Sequence, residues 1–104
     1  MKRGLSVDNT SDLIGILVDK TANDAERDDA AIDLGFISNN EAIEIALLTV
    51  ANDEGTDEMI RASCGESLAQ IWIENNVLNL KNISLLTGIA FFKALEIFKK
   101  KNSE

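Results

Sequence analysis

The chain has 104 residues, 45% of them hydrophobic, with a mean hydropathy of −0.01 and a formal net charge of −8, values that fit one folded domain over residues 1–104 and exclude a disordered chain. No apolar run reaches the roughly 18 residues a membrane span requires. Histidine is absent and Cys64 is the only cysteine, which excludes an intramolecular disulfide, a four-thiolate zinc site and acid–base chemistry on imidazole.

Proline is also absent, so no position forbids helix. The basic tip at Lys2 and Arg3 is interrupted by Asp8 and Asp12 before a secretory apolar stretch could form, which makes the cytoplasm the expected location. Leu13, Ile14, Ile16, Leu17 and Val18 predict a short apolar helix, with Ser11 or Asp12 as its cap. Thr21 to Asp24 reads as a turn and the cap of a second helix, in which Arg27, Ala30, Ala31, Leu34 and Ile37 recur at steps of three and four. Ser38-Asn39-Asn40 breaks that pattern, and Asn40 can cap a third helix carrying Ala42, Ile43, Ile45, Ala46, Leu47, Val50 and Ala51.

Asn52-Asp53-Glu54-Gly55 reads as the clearest stop, with Gly55 suited to a left-handed helix end. Asp57 and Glu58 then fall in the first turn of a fourth helix, where the helix dipole favours negative charge. Ile60, Cys64, Leu68, Ile71 and Trp72 share one face of it. After a second break at Asn75-Asn76, a fifth helix is expected over about residues 78–87. A sixth follows from Gly88 to Lys101, holding Ile89, Phe92, Leu95, Ile97 and Phe98, with Lys99, Lys100 and Lys101 at its negative pole.

The chain also repeats itself. Residues 27–37 align without a gap on residues 61–71, an offset of 34 that sets Arg27 over Arg61, Ala30-Ala31 over Cys64-Gly65, Leu34 over Leu68 and Ile37 over Ile71. At the same offset Leu13-Ile14 lies over Leu47-Leu48 and Ile16 over Val50. A period near 34 predicts repeated helical hairpins, each with apolar faces that only its neighbours can cover. The expected fold is all-α, an α-α superhelix of about three such hairpins. The stretch from Arg27 through Ile71 resembles the HEAT-like repeats of the phycobilisome-lyase type. Ala30-Ala31-Ile32-Asp33-Leu34-Gly35 looks like that family's alanine-rich second helix, and Ser38-Asn39-Asn40-Glu41-Ala42-Ile43 stands where its turn sits, with asparagine in place of proline. The resemblance implies a fold shared by lyases, adaptors and scaffolds alike.

Catalytic groups are hard to assemble from what remains. Asp29 and Asp33 lie one turn apart, and Asp53, Glu54, Asp57 and Glu58 cluster around a loop. A glycosidase-like pair needs a cleft and one raised pKa, and the segment from Asn52 to Glu58 lacks calcium-loop spacing. No catalytic residue, metal or cofactor is expected. Cys64 and Trp72 read as core.

Charge is more telling. From Asp8 to Glu74 sixteen acids face only Lys20, Arg27 and Arg61, a local balance of −13, whereas five lysines follow residue 74. Such a field repels nucleic acid and anionic lipid and attracts basic proteins. If second helices line one face of a stack, Asp29, Asp33 and Phe36 from one unit point outward beside Ser63, Glu66, Ser67 and Gln70 from the next, with Asp53, Glu54, Asp57 and Glu58 at the rim. An outward aromatic among acids has the form of an interface anchor. Small, acidic, helical and without catalytic groups, the chain is similar to the all-helical immunity proteins of bacterial polymorphic toxin systems. That likeness implies a monomer or a 1:1 complex with a basic cognate toxin domain, such as a nuclease. The alternative is a HEAT-like adaptor or assembly scaffold for a basic protein or peptide, and a third reading is a bilin-lyase-like enzyme fragment.

Overall fold

The computed structural model describes residues 9–37 and 39–103. The basic tip, Asp8, Ser38 of the first break and Glu104 lie outside them. The chain is all-α, and among the described residues six helices and no strand occur: α1 (Asn9–Val18), α2 (Asp24–Leu34), α3 (Glu41–Ala51), α4 (Glu58–Glu74), α5 (Leu80–Ile83) and α6 (Gly88–Asn102).

Short polar side chains start the helices, because each can take up an N–H that the first turn leaves unpaired. Asn23 Oδ1 accepts from the Glu26 N–H at 2.8 Å, Asn40 Oδ1 from Ile43 at 3.1 Å and Asn79 Oδ1 from Asn82 at 2.9 Å. Asp57 caps α4 by accepting from the Met59 N–H at 2.9 Å. It therefore stands before the first turn in which it was expected. Ser11 and Asp12, expected as caps, lie inside α1.

The left-handed helix end expected at Gly55 is found elsewhere. Gly55 donates its N–H to Asp53 Oδ1 at 3.0 Å within the α3–α4 loop, and Asn52 closes α3. Left-handed backbone follows other helices: Asn39 comes after α2, with φ +61°, and Asn76 after α4, with φ +63°. The Asn76 N–H donates to Ile73 O at 3.0 Å, and that of Val77 donates to Trp72 O at 2.7 Å. This pair of bonds is the Schellman closure that a left-handed residue permits after a helix. The fifth helix is also shorter than expected: four residues replace a span of ten, and Ser84 to Thr87 form a turn and linker.

The helices pack in sequential pairs, α1 with α2, α3 with α4 and α5 with α6, and packing also joins α1 to α3, α2 to α4 and α4 to α6. The shortest dimension is 19 Å, about two helix diameters. In the middle of the second helices, α4 is buried on most of its circumference: Ile60, Cys64, Leu68, Ile71 and Trp72 belong to the core, and Ser63, Gly65, Ser67 and Ala69 are covered as well. Gly65 is what allows α6 so close, because a Cβ there would lie 2.7 Å from Ala90 Cα and closer still to its carbonyl oxygen.

The period of 34 is visible in the bonding. Arg27 Nε donates to Leu17 O at 3.0 Å, and Arg61 Nε donates to Ala51 O at 3.1 Å. In each pair the arginine of the second helix holds the end of the first helix ten residues earlier. The next carbonyl at that spacing, Leu85 O, accepts instead from Asn52 Nδ2 at 2.9 Å.

Candidate functional site

All nine residues marked by the sequence as partner-binding reach the surface, but the fold divides them between two places. Glu58 opens α4 and Gln70 lies twelve residues further along it, which is about 18 Å of helix. The loop acids therefore sit at one end of the second helices, and Phe36 and Gln70 toward the other.

At the loop end, three linkers are tied together. Lys20 Nζ lies 3.1 Å from Asp53 Oδ2, and the same carboxylate accepts from Gly55 N–H and from Thr56 Oγ1, at 2.9 Å for the latter. These bonds, the Gly55 N–H first and then Lys20 and Thr56, hold the Asp53 carboxyl down at about 2. Asn52 Oδ1 accepts from the N–H and the hydroxyl of Thr87 at 3.0 and 3.1 Å. Asp53 thus joins the first linker to the second, Asn52 joins the second to the third, and Asp57 is a cap. Of the four rim acids, Glu54 and Glu58 are exposed and take part in none of these bonds.

Toward the other end, α2 and α4 meet through small residues. Ser67 Oγ donates to Ala31 O at 2.6 Å and Ser63 Oγ donates to Asp28 Oδ1 at 2.6 Å. Both serines were expected to face outward. Both are buried, because a hydroxyl turned back onto the neighbouring helix satisfies itself without water. A side chain at Gly35 would strike Ser67, its Cβ coming within 2.8 Å of the serine Cβ.

Over this seam lies a hollow of about 190 Å³ bordered by Ile32, Phe36, Glu66, Gln70 and Ile97. Phe36 is 80% exposed and Ile32 42%. Asp29 and Asp33 are exposed beside them on α2, and among the described residues neither takes part in an ion pair. A larger hollow of about 580 Å³ adjoins the first, sharing Glu66 and Ile97 with it, and is bordered by Glu96, Lys99 and Lys100 on α6 and by Ser103 just after it.

The face is therefore not uniformly acidic. Charge runs from carboxylates on α2, through Glu66 on α4, to lysines on α6. Ile32 and Ile97, which border the hollow, went unmarked in the sequence. The available signal was Ile32 itself, an isoleucine on the polar side of α2 between Asp29 and Phe36.

The remaining reactive side chain is withdrawn from solvent. Cys64 is fully buried, and burial pushes its thiol up to about 12. Trp72 is 2% exposed and donates its Nε1–H to Glu44 Oε1 at 3.1 Å. Among the described residues no group of three metal-ligating side chains comes together, and no helix is long and apolar enough to cross a membrane. The chain matches no family model, and no characterised protein or solved structure is significantly similar to it.

Proposed function

We propose that the chain is a HEAT-like helical-repeat module that works as an immunity protein in the bacterial cytoplasm, capping a basic toxin domain, such as a nuclease, in a 1:1 complex. The observation that carries this reading is the group formed by Phe36, Asp29 and Asp33: a large aromatic left in solvent beside two carboxylates that no cation of the described chain neutralises. An exposed aromatic gives a partner apolar area to bury, and the acids around it favour a cationic surface. Glu66 and Gln70 extend the contact across α4. Glu54 and Glu58 add long-range attraction from the other end, which speeds encounter more than it tightens the complex.

The test is co-expression with the protein encoded immediately upstream, since an immunity gene follows its toxin, and measurement of association. In the Asp29→Lys/Asp33→Lys double variant, affinity should fall by at least about tenfold, roughly what the loss of 1.4 kcal/mol at a charged contact implies. A double variant that changes exposed acids on the first helices by the same charge, Asp12→Lys/Glu41→Lys, should lose much less. Equal losses would reduce the effect to net charge, and no loss would move the interface off α2. Shallow hollows in place of a deep pocket also suit the second reading, an adaptor or scaffold holding a basic peptide. Micromolar affinity for several basic partners, in place of one tight complex, would select it.

A further inference from the structure

The lysines of α6 border a hollow that adjoins the one beside Phe36 and Ile32 of the α2 side, and the proposed function leaves them unused. Glu66 and Ile97 belong to both hollows, so the hollow beside Phe36 adjoins the one beside Lys99 and Lys100. The lysine run itself is divided. Lys99 and Lys100 border the hollow against Glu66, whereas Lys101 borders a separate depression with Ile73 and Phe98. Glu96 also reaches the larger hollow, where its carboxylate lies 3.9 Å from Lys93 Nζ, so two lysines face two carboxylates there, Glu66 and Glu96.

Building on the proposed function, we infer that the partner meets this surface with a dipolar segment: cationic side chains over Asp29 and Asp33, one bulky apolar side chain in the hollow beside Ile32, Phe36 and Ile97, and carboxylates over Lys99 and Lys100. The argument is charge complementarity along one line. A uniformly basic segment crossing α2, α4 and α6 would gain at the first helix and be repelled at the last, and like charges placed together across an interface are costly. Packed helices lie 8–10 Å apart, so crossing three of them takes about 20 Å. A helical segment of about 13 residues covers that distance, as does an extended one of about six. The apolar residue then falls midway.

The experiment uses the full chain and three synthetic 15-residue helical peptides with a central leucine. The first has lysines on one side of the leucine and glutamates on the other. The second has the same composition with the charges shuffled, and the third is uniformly lysine-rich. Binding is measured by fluorescence anisotropy near physiological salt, and contacts are located from amide shifts of the labelled protein. The dipolar peptide should bind roughly five- to tenfold more tightly than the shuffled one, the range expected when two or three exposed ion pairs align. Its shifts should centre on Ile32, Phe36 and Ile97. Lys99→Glu/Lys100→Glu should remove that preference and tighten the uniformly basic peptide, whereas Lys101→Glu should leave the preference intact. Circular dichroism checks that each variant folds.

Equal affinity for dipolar and shuffled peptides, an unchanged preference in Lys99→Glu/Lys100→Glu, or no binding by the dipolar peptide would each overturn the inference. Its failure is separable from that of the proposed function. If the lysine-rich peptide still binds and loses affinity in Asp29→Lys/Asp33→Lys but not in Asp12→Lys/Glu41→Lys, the acidic face stands and only the dipolar partner is lost.

Discussion

A methyl group added at Gly65 would have nowhere to go. Its neighbour is the Ala90 backbone at the first turns of α6, and backbone inside a helix cannot swing aside as a flexible side chain can. Gly65→Ala should therefore cost about 2–3 kcal/mol through overpacking, seen as a lower midpoint in urea unfolding. Gly15 gives the opposite result. It lies in α1 with open space where a Cβ would stand, so Gly15→Ala should gain about 0.5–1 kcal/mol from helix propensity alone. Two glycines in helices, opposite signs: a stabilising Gly65→Ala would mean that α4 and α6 do not pack as described. The alignment of Gly65 with Ala31 registered that a small residue was needed. It could not identify the neighbour, because the close approach is made by Ala90, outside the repeated segment. For the same reason Ser63 and Ser67 were misplaced. Serine is polar enough for a solvated face, and only the proximity of Ala31 O and Asp28 decides that each hydroxyl turns inward.

Helix starts were legible where an asparagine could act locally. Asn23 and Asn40 sit before apolar periodicity and do what such residues do there. Helix ends were less legible, since glycine and asparagine compete for the left-handed position and the choice depends on the backbone that follows. Gly55 stays out of the left-handed position that Asn39 takes after α2 and Asn76 takes after α4, and it donates its N–H to Asp53 Oδ1 within the α3–α4 loop. The clamp around Asp53 makes a pH prediction. Its carboxyl is held at about 2, against an ordinary value of 3.8, and a depressed acid stabilises the folded state above its unfolded pKa and loses that contribution as pH falls toward its folded one. The stability gap between the native chain and Asp53→Asn should be full above about pH 4 and shrink steadily toward pH 2. Chemical denaturation at a series of pH values checks it. A gap that stayed constant across the range would mean that Asp53 acts by shape and not by charge.

At the scale of the whole molecule, periodicity gave the helices, and the offset of 34 aligned the two arginines without saying which carbonyls they would hold. The face over α2, α4 and α6 was only half legible. Phe36, Glu66 and Gln70 come together beside Ile32, but the packing of α6 against α4 decides which lysines join them, and no alignment of the first two units contains that information.

The same charge distribution should make salt act in opposite directions on stability and on binding. Arg27 and Arg61 donate to backbone carbonyls, and the ion pairs among the described residues are Lys20–Asp53 and Lys93–Glu96. Among the described residues little attraction is therefore available to screen. Repulsion is plentiful: Asp29 and Asp33 stand one helical turn apart, and like charges at that spacing destabilise a helix. Raising sodium chloride from about 0.05 to about 0.5 M shortens the screening length severalfold. It should raise the melting temperature of the free chain by about 2–4 °C, as a relief of roughly 0.5 kcal/mol would for a domain of this size. In Asp29→Lys/Asp33→Lys, which brings the net charge from −8 to −4, the rise should be smaller. Over the same range association with a basic partner should slow, since screening removes the attraction that steers it. A melting temperature that fell with salt would mean that the carboxylates are held by attractions, and that the acids of α2 are already satisfied before any partner arrives.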